Sequence, residues 1–99
     1  MSNDMSRSRE LELQKLLRSA ISACDRACSE AETAGIDWLR VDALVARGNF
    51  QAILEQSVSG SLLPSQGAGL GITRALSEWA PTFLYDAGAL VEDFYRKNF

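Results

Sequence analysis

The stretch "LQKLLRSAISACDRACSEAETAG", residues 13–35, carries most of the strongest periodic signal in this chain. On a helical wheel of about 100° per residue, its Leu, Ile, Ala and Cys side chains share one side, whereas Lys15, Arg26 and Ser29 lie opposite. This pattern predicts an amphipathic helix over residues 8–34, for which Gly35 is a typical C-terminal stop. Because the apolar arc is wider than the seam of a two-stranded coiled coil, we expect this helix to contact two neighbours.

A second helix is predicted over residues 38–47, with Asp37 as its N-cap. Its apolar residues recur at helical spacing: Trp38, Val41, Leu44 and Val45. The sequence "RGNF", residues 47–50, predicts a break in which Gly48 ends this helix and Asn49 caps a third. The alternative is a continuous helix that tolerates Gly48.

The remainder of the chain is predicted to be a linker followed by more helix. The Gly/Ser-rich residues 59–71 are typical of a mobile linker, and a short helix capped by Thr73 is predicted to reach Trp79. Pro81 should kink or divide the helix there. From Phe83 to residue 97 the apolar residues again cover one helical face, and no period-2 strand pattern is present.

Length and composition are those of one globular domain, residues 1–99, with residues 1–7 as a flexible tail. Hydrophobic residues make up 46% of the chain, charged residues 23%, and the net charge is −3. We therefore expect an all-α bundle of three to five helices, with a long N-terminal helix and a kinked C-terminal helix. No apolar run is long enough to span a membrane, and the first residues do not form the apolar segment of a secretory signal, so a cytoplasmic protein is expected.

The two cysteines, Cys24 and Cys28, stand four residues apart within the first helix. At that spacing the Cβ atoms are about 5–6 Å apart, whereas a disulfide needs about 3.8 Å. The chain has no histidine, so zinc would lack ligands. We interpret both cysteines as small residues that allow close helix packing, and a thiol- or metal-linked dimer as the alternative.

Neither catalysis nor nucleotide binding is predicted. The "GAGLG" of residues 67–71 lacks the preceding strand and the G-x-G-x-x-G spacing of a dinucleotide site. The acidic residues are dispersed along helix surfaces, and a site for acid–base work needs several polar groups that converge. We therefore expect no enzyme activity, no cofactor and no metal.

Residues 38–56 resemble the middle of a tetratricopeptide-type helical hairpin in Leu44, Gly48 and Phe50. In that pattern an apolar residue precedes a turn glycine by four positions, and an aromatic residue follows it by two. Similar hairpins occur in small helical chaperones, including those that hold type III secretion needle subunits. The resemblance implies a helical scaffold that grips the amphipathic helix of a partner.

These observations together predict a non-enzymatic protein–protein interaction module: a small chaperone, adaptor or inhibitor. It would bind another protein, or a second copy of itself, through apolar helix faces. The predicted partner-binding residues are Ala20, Cys24, Ala27, Ala31, Trp79, Phe83, Leu90 and Phe94. A small DNA-binding transcriptional regulator is the alternative, although the acidic charge and the lack of a basic cluster do not favour nucleic-acid binding.

Overall fold

The computed structural model describes residues 2–66 and 69–99, with side chains from Arg7 onward. Four helices follow one another along the chain: α1 (Ser2–Ala34), α2 (Asp37–Ser59), α3 (Ile72–Leu76) and α4 (Thr82–Asn98). No strand occurs within the described residues, so the predicted all-α fold is confirmed. The first helix begins at Ser2, earlier than the predicted start at residue 8, and the flexibility expected of residues 1–7 stays a prediction.

The first helix forms as its sequence pattern predicts. Its core-facing residues recur every three or four positions, and each is almost completely buried: Leu13, Leu17, Ala20, Cys24, Ala27 and Ala31. Gly35 ends the helix in the left-handed conformation at φ 72°. The amide of Ile36 donates to the carbonyl of Ala31 at 2.9 Å, and that of Gly35 to Glu32 at 3.3 Å, which is the Schellman arrangement.

The second helix runs unbroken through Gly48, so the predicted break at residues 47–50 is wrong and the continuous alternative is confirmed. A glycine inside a helix costs about 1 kcal/mol relative to alanine. Ala46 and Phe50, on either side of Gly48, are both buried in the core, and their burial holds the helix together across it. Asp37 is the first residue of the helix and not its N-cap, a position that Ile36 occupies.

Helices α2 and α4 both run antiparallel to α1, which they contact on two sides. Between α1 and α2, Arg47 Nε lies 2.8 Å from Asp25 Oδ1. Between α1 and α4, the Arg26 guanidinium lies 3.9 Å from the centre of the Phe83 ring, and Arg9 donates to the carbonyl of Asn98 at 2.6 Å. The central position of α1 confirms the two neighbours that its wide apolar arc predicts.

Pro81 divides the C-terminal helical region, as predicted. The helix before it ends at Leu76 and continues only as a turn to Trp79. This short helix, α3, packs on α4 at Gly88. A Cβ atom at that glycine would lie 2.5 Å from Leu76 Cδ1 and 2.9 Å from Ile72 Cγ2, so the glycine is what permits the close approach.

The connection between α2 and α3 is held to the body of the protein, although its composition predicts a mobile linker. The Tyr95 hydroxyl donates to the carbonyl of Leu63 at 2.6 Å, and the Ser65 hydroxyl donates to the carbonyl of Arg96 at 3.2 Å. Residues 61–66 therefore lie along α4. The mobility of residues 59–71 stays a prediction, and positions 67 and 68 of this linker lie outside the described residues.

Candidate functional site

The predicted partner surface on α1 lies inside the fold. Its four residues, Ala20, Cys24, Ala27 and Ala31, are at most 1% exposed. Helices of the same chain cover them, because α2 and α4 pack on this side of α1. The small side chains thus allow close packing within the chain, and they offer no surface to a partner.

Both cysteines are free thiols. Burial raises the pKa of Cys24 to about 12, to which the nearby Asp25 carboxylate adds. The pKa of Cys28 is also raised, first by burial and then by the carboxylate of Glu32, which accepts a hydrogen bond from its thiol at 3.8 Å. Nucleophilic cysteines need a lowered pKa. Neither thiol is thus activated as a nucleophile; Cys24 lies in the core and Cys28 packs, partly buried, against it.

The aromatic residues predicted for partner binding near the C-terminus are mostly used within the chain. Phe83 and Phe94 are partly buried against the core, and Phe83 lies under the Arg26 guanidinium. Trp79 is also partly buried, and its indole nitrogen donates to the carbonyl of Ala75 at 2.9 Å. Leu90, by contrast, is 58% exposed.

An open depression of about 540 Å³ lies beside Leu90 and is lined by Thr73, Glu92 and Asp93. The Glu92 carboxylate accepts hydrogen bonds from the amides of Ile72 and Thr73, each at 3.0 Å, and from the Thr73 hydroxyl. Burial raises the pKa of Glu92, but these hydrogen bonds outweigh it and leave the pKa below its usual value. Glu92 thus caps the N-terminus of α3 and is a structural residue.

Asp93, which also lines this depression, has basic neighbours on α4. Asp93 pairs with Lys97 at 3.0 Å, and hydrogen bonds and charge from Lys97 and Arg96 lower its pKa. Among the side chains described, those of residues 7–66 and 69–99, no group of three or more Cys, Asp or Glu is placed to hold a metal ion. In the part of the chain that the structure describes, no helix is long and apolar enough to cross a membrane.

The surface that stands out is on α2, on the side away from α1. Residues 38, 41, 45, 48 and 52 follow the alternating spacing of three and four that is typical of a coiled-coil seam. All five are exposed, with Trp38 at 58%, Val41 at 43% and Val45 at 60%. We call the side formed by Trp38, Val41, Val45, Gly48 and Ala52 the outer face; Leu44, 46% exposed, lies at its edge.

The helix-spaced residues Trp38, Val41 and Val45 do not face the core. A second set on α2 is buried instead: Ala43, Ala46, Phe50, Leu54 and Ser57. The helix therefore carries two apolar stripes on opposite sides. The three-four spacing of the outer face is visible in the sequence, but the same spacing is also typical of a buried stripe.

Both arginines of α2 lie towards α1, and each is paired with a carboxylate. Arg40 Nη2 lies 2.9 Å from Asp37 Oδ1, and Arg47 is paired with Asp25 of α1. Both arginines of α2 are thus neutralised by neighbouring carboxylates. A helix that reads DNA needs unpaired basic groups for phosphates, so the arrangement does not favour the regulator alternative.

No protein-family model, curated protein or solved structure matches this chain.

Proposed function

We propose that this chain is a non-enzymatic protein–protein interaction module, acting as a small chaperone, adaptor or inhibitor, whose binding surface is the outer face of α2. The observation that carries the proposal is the exposure of Trp38, Val41 and Val45 on one helical side. Contiguous exposed apolar surface is typical of protein-binding sites.

A helix face of this kind is suited to helix-in-groove or helix-against-helix binding. Large side chains at positions 38, 41 and 45 would enter a partner surface, while Gly48 and Ala52 would let its backbone approach. Trp and other large apolar residues commonly supply most of the binding free energy of such contacts. The resemblance of residues 38–56 to a tetratricopeptide-type hairpin lends no support, because these residues lie within one continuous helix with no turn at Gly48.

Site-specific photo-crosslinking in the cells that make the protein tests the proposal. A benzophenone amino acid at position 44, at the edge of the outer face, should form ultraviolet-dependent adducts with a defined protein. Val41→Glu in the same chain should abolish them, since a carboxylate would be placed in an apolar contact. The same probe at Ser19, an exposed position of α1, is the control. If position 44 gives no more adduct than position 19, the proposed function is wrong.

A further inference from the structure

The short helix α3 depends on α4 for its structure. Its five residues are too few to form a stable helix alone, because the first turn of a helix is unfavourable to form. The Glu92 carboxylate accepts from the amides at its N-terminus, and the side chains of Ile72 and Leu76 lie over Gly88. Within the described residues, α4 is the helix whose backbone lies close to that of α3. The helical form of α3 is thus stabilised mainly by one carboxylate and two apolar side chains.

The space between α3 and α2 is not filled. A depression of about 150 Å³ is lined by Ile53 of α2 and Ala75 of α3. A second depression, of about 140 Å³, is lined by Val45 of α2 and by Trp79, which follows α3. Side chains beside such gaps lose dispersion contacts on one side. The attachment of α3 is therefore firm towards α4 and weak towards α2.

We propose that α3 is a lid, which leaves α4 while the three long helices stay packed and which uncovers an apolar slot at Gly88 and Phe50. A Cβ atom built at Gly88 would lie 3.5 Å from Phe50 Cζ, so the phenyl ring reaches the place that Ile72 and Leu76 cover. Weakly packed segments of native proteins open in this way without global unfolding. Within the described residues, the apolar side chains that are 0% exposed all belong to the three long helices: Leu13, Leu17, Ala20, Cys24, Ala27, Ala43, Leu84 and Val91.

The slot under the lid adjoins the outer face of α2. Val45 of that face lines the smaller depression, and the next residue, Ala46, lines both depressions. Opening of α3 would therefore extend the exposed apolar surface from Val45 towards Phe50. The inference goes beyond the proposed function, because the lid opens or stays closed whether or not the outer face binds a protein.

Hydrogen exchange of the native full chain, from zero to about 2 M urea, tests the lid. The α3 reporters are the amides of Ala75 and Ser77, which donate to the carbonyls of Gly71 and Thr73 at 3.1 and 2.9 Å. They should exchange roughly tenfold or more faster than the amide of Cys24, at the centre of α1. Their rates should also rise less steeply with urea, because opening of α3 exposes less surface than global unfolding.

Two results of this experiment would overturn the lid. If the α3 reporters exchange at the rate of the Cys24 amide, with the same dependence on urea, then α3 opens only when the whole chain unfolds. If they exchange as fast as the amides of an unstructured peptide, then α3 is never closed.

Gly88→Ala should hold the lid open. The added Cβ atom would lie 2.5 Å from Leu76 Cδ1 and 2.9 Å from Ile72 Cγ2, so both side chains must move. The α3 reporters should therefore exchange roughly tenfold faster than in the wild type. Gly48→Ala is the matched control, since its methyl has none of the described atoms within 4 Å and should not speed exchange in α3. Reporters that exchange equally slowly in the two variants would overturn the hold at Gly88 from which the lid is inferred.

Trp79 distinguishes an open lid from an unfolded chain. Its indole donates to the carbonyl of Ala75 in the closed state, and Trp38→Phe leaves it as the one tryptophan of the chain. In that background Gly88→Ala should shift the Trp79 emission towards that of the urea-unfolded protein. The far-ultraviolet circular dichroism should stay close to that of the Gly88 chain, because α3 contributes five helical residues. Loss of both signals together would show global unfolding and would contradict a lid that opens by itself.

Discussion

The cap that Glu92 places on α3 leads to a sharp prediction, because one side chain of α4 satisfies three donors of another helix. Its carboxylate accepts from the amides of Ile72 and Thr73 and from the Thr73 hydroxyl. Losing an ordinary cap with one acceptor costs about 0.5–2 kcal/mol. Glu92 is partly exposed, so solvent screens its charge and we use the middle of that range.

Glu92→Gln should therefore lower the free energy of unfolding by about 1 kcal/mol at pH 7. The glutamine keeps one acceptor oxygen but loses the charge, and its NH₂ group would face backbone donors. For a chain of this size such a loss corresponds to a fall of about 4–8 °C in the thermal midpoint. Urea denaturation followed by far-ultraviolet circular dichroism measures it, with Glu12→Gln, exposed on α1, as the matched control.

The stabilisation that Glu92 provides should depend on pH in a definite direction. The pKa of Glu92 in the folded chain lies below its ordinary value of 4.5, so its stabilising effect is complete above that value and is lost as the pH falls through the folded-state pKa. The stability difference between wild type and Glu92→Gln should therefore shrink in acid. The cap would be refuted if Glu92→Gln were as stable as Glu12→Gln at pH 7, or if the difference stayed constant in acid.

Three further predictions concern the core, the connection and the thiols. Leu17→Ala should lower the free energy of unfolding by about 2–5 kcal/mol in urea denaturation, because the side chain is fully buried; a loss under 1 kcal/mol would contradict its central place. Tyr95→Phe should lower the free energy of unfolding by about 1 kcal/mol and speed proteolysis near Leu63, because the Leu63 carbonyl loses its hydrogen-bond donor. Unchanged cleavage near Leu63 would show that this hydrogen bond does not hold the connection between α2 and α3. Iodoacetamide at pH 7.5 should label Cys24 far more slowly in the folded chain than in urea, since burial raises its pKa to about 12. Mass spectrometry measures the labelling rates, and equal rates in the two conditions would contradict the burial of Cys24.

The outer face shows why a correct helix prediction can still misplace a binding site. The sequence around Trp38, Val41 and Val45 predicts a helix with an apolar side, and a helix is present. A second apolar set, which includes Ala46 and Phe50, lies on the opposite side and is the one that packs on α1. Periodicity identifies both apolar stripes but does not show which of them is buried. That depends on how well each stripe packs against α1, which is distant in the sequence.

The error at Gly48 has a related cause. A glycine followed by an asparagine is a strong local signal for a helix end, and the local cost of continuing is about 1 kcal/mol. Burial of the residues on either side exceeds that cost once α1 is in place. Local helix propensity therefore predicts a helix end poorly where the residues on both sides of it are buried in tertiary contacts.

Local patterns in the sequence are enough to predict the helical class, the inward side of α1, its stop at Gly35 and the division at Pro81. The helical class and the inward side of α1 follow from local periodicity. The stop follows from the left-handed conformation of Gly35, and the division from the N–H group that Pro81 lacks. Long-range packing, by contrast, brings α1's small residues against helices of their own chain, lets Glu92 cap a helix about twenty positions earlier, and leaves one apolar side of α2 uncovered. Those features depend on which distant surfaces come together, and the spacing of residues along one helix does not carry that information.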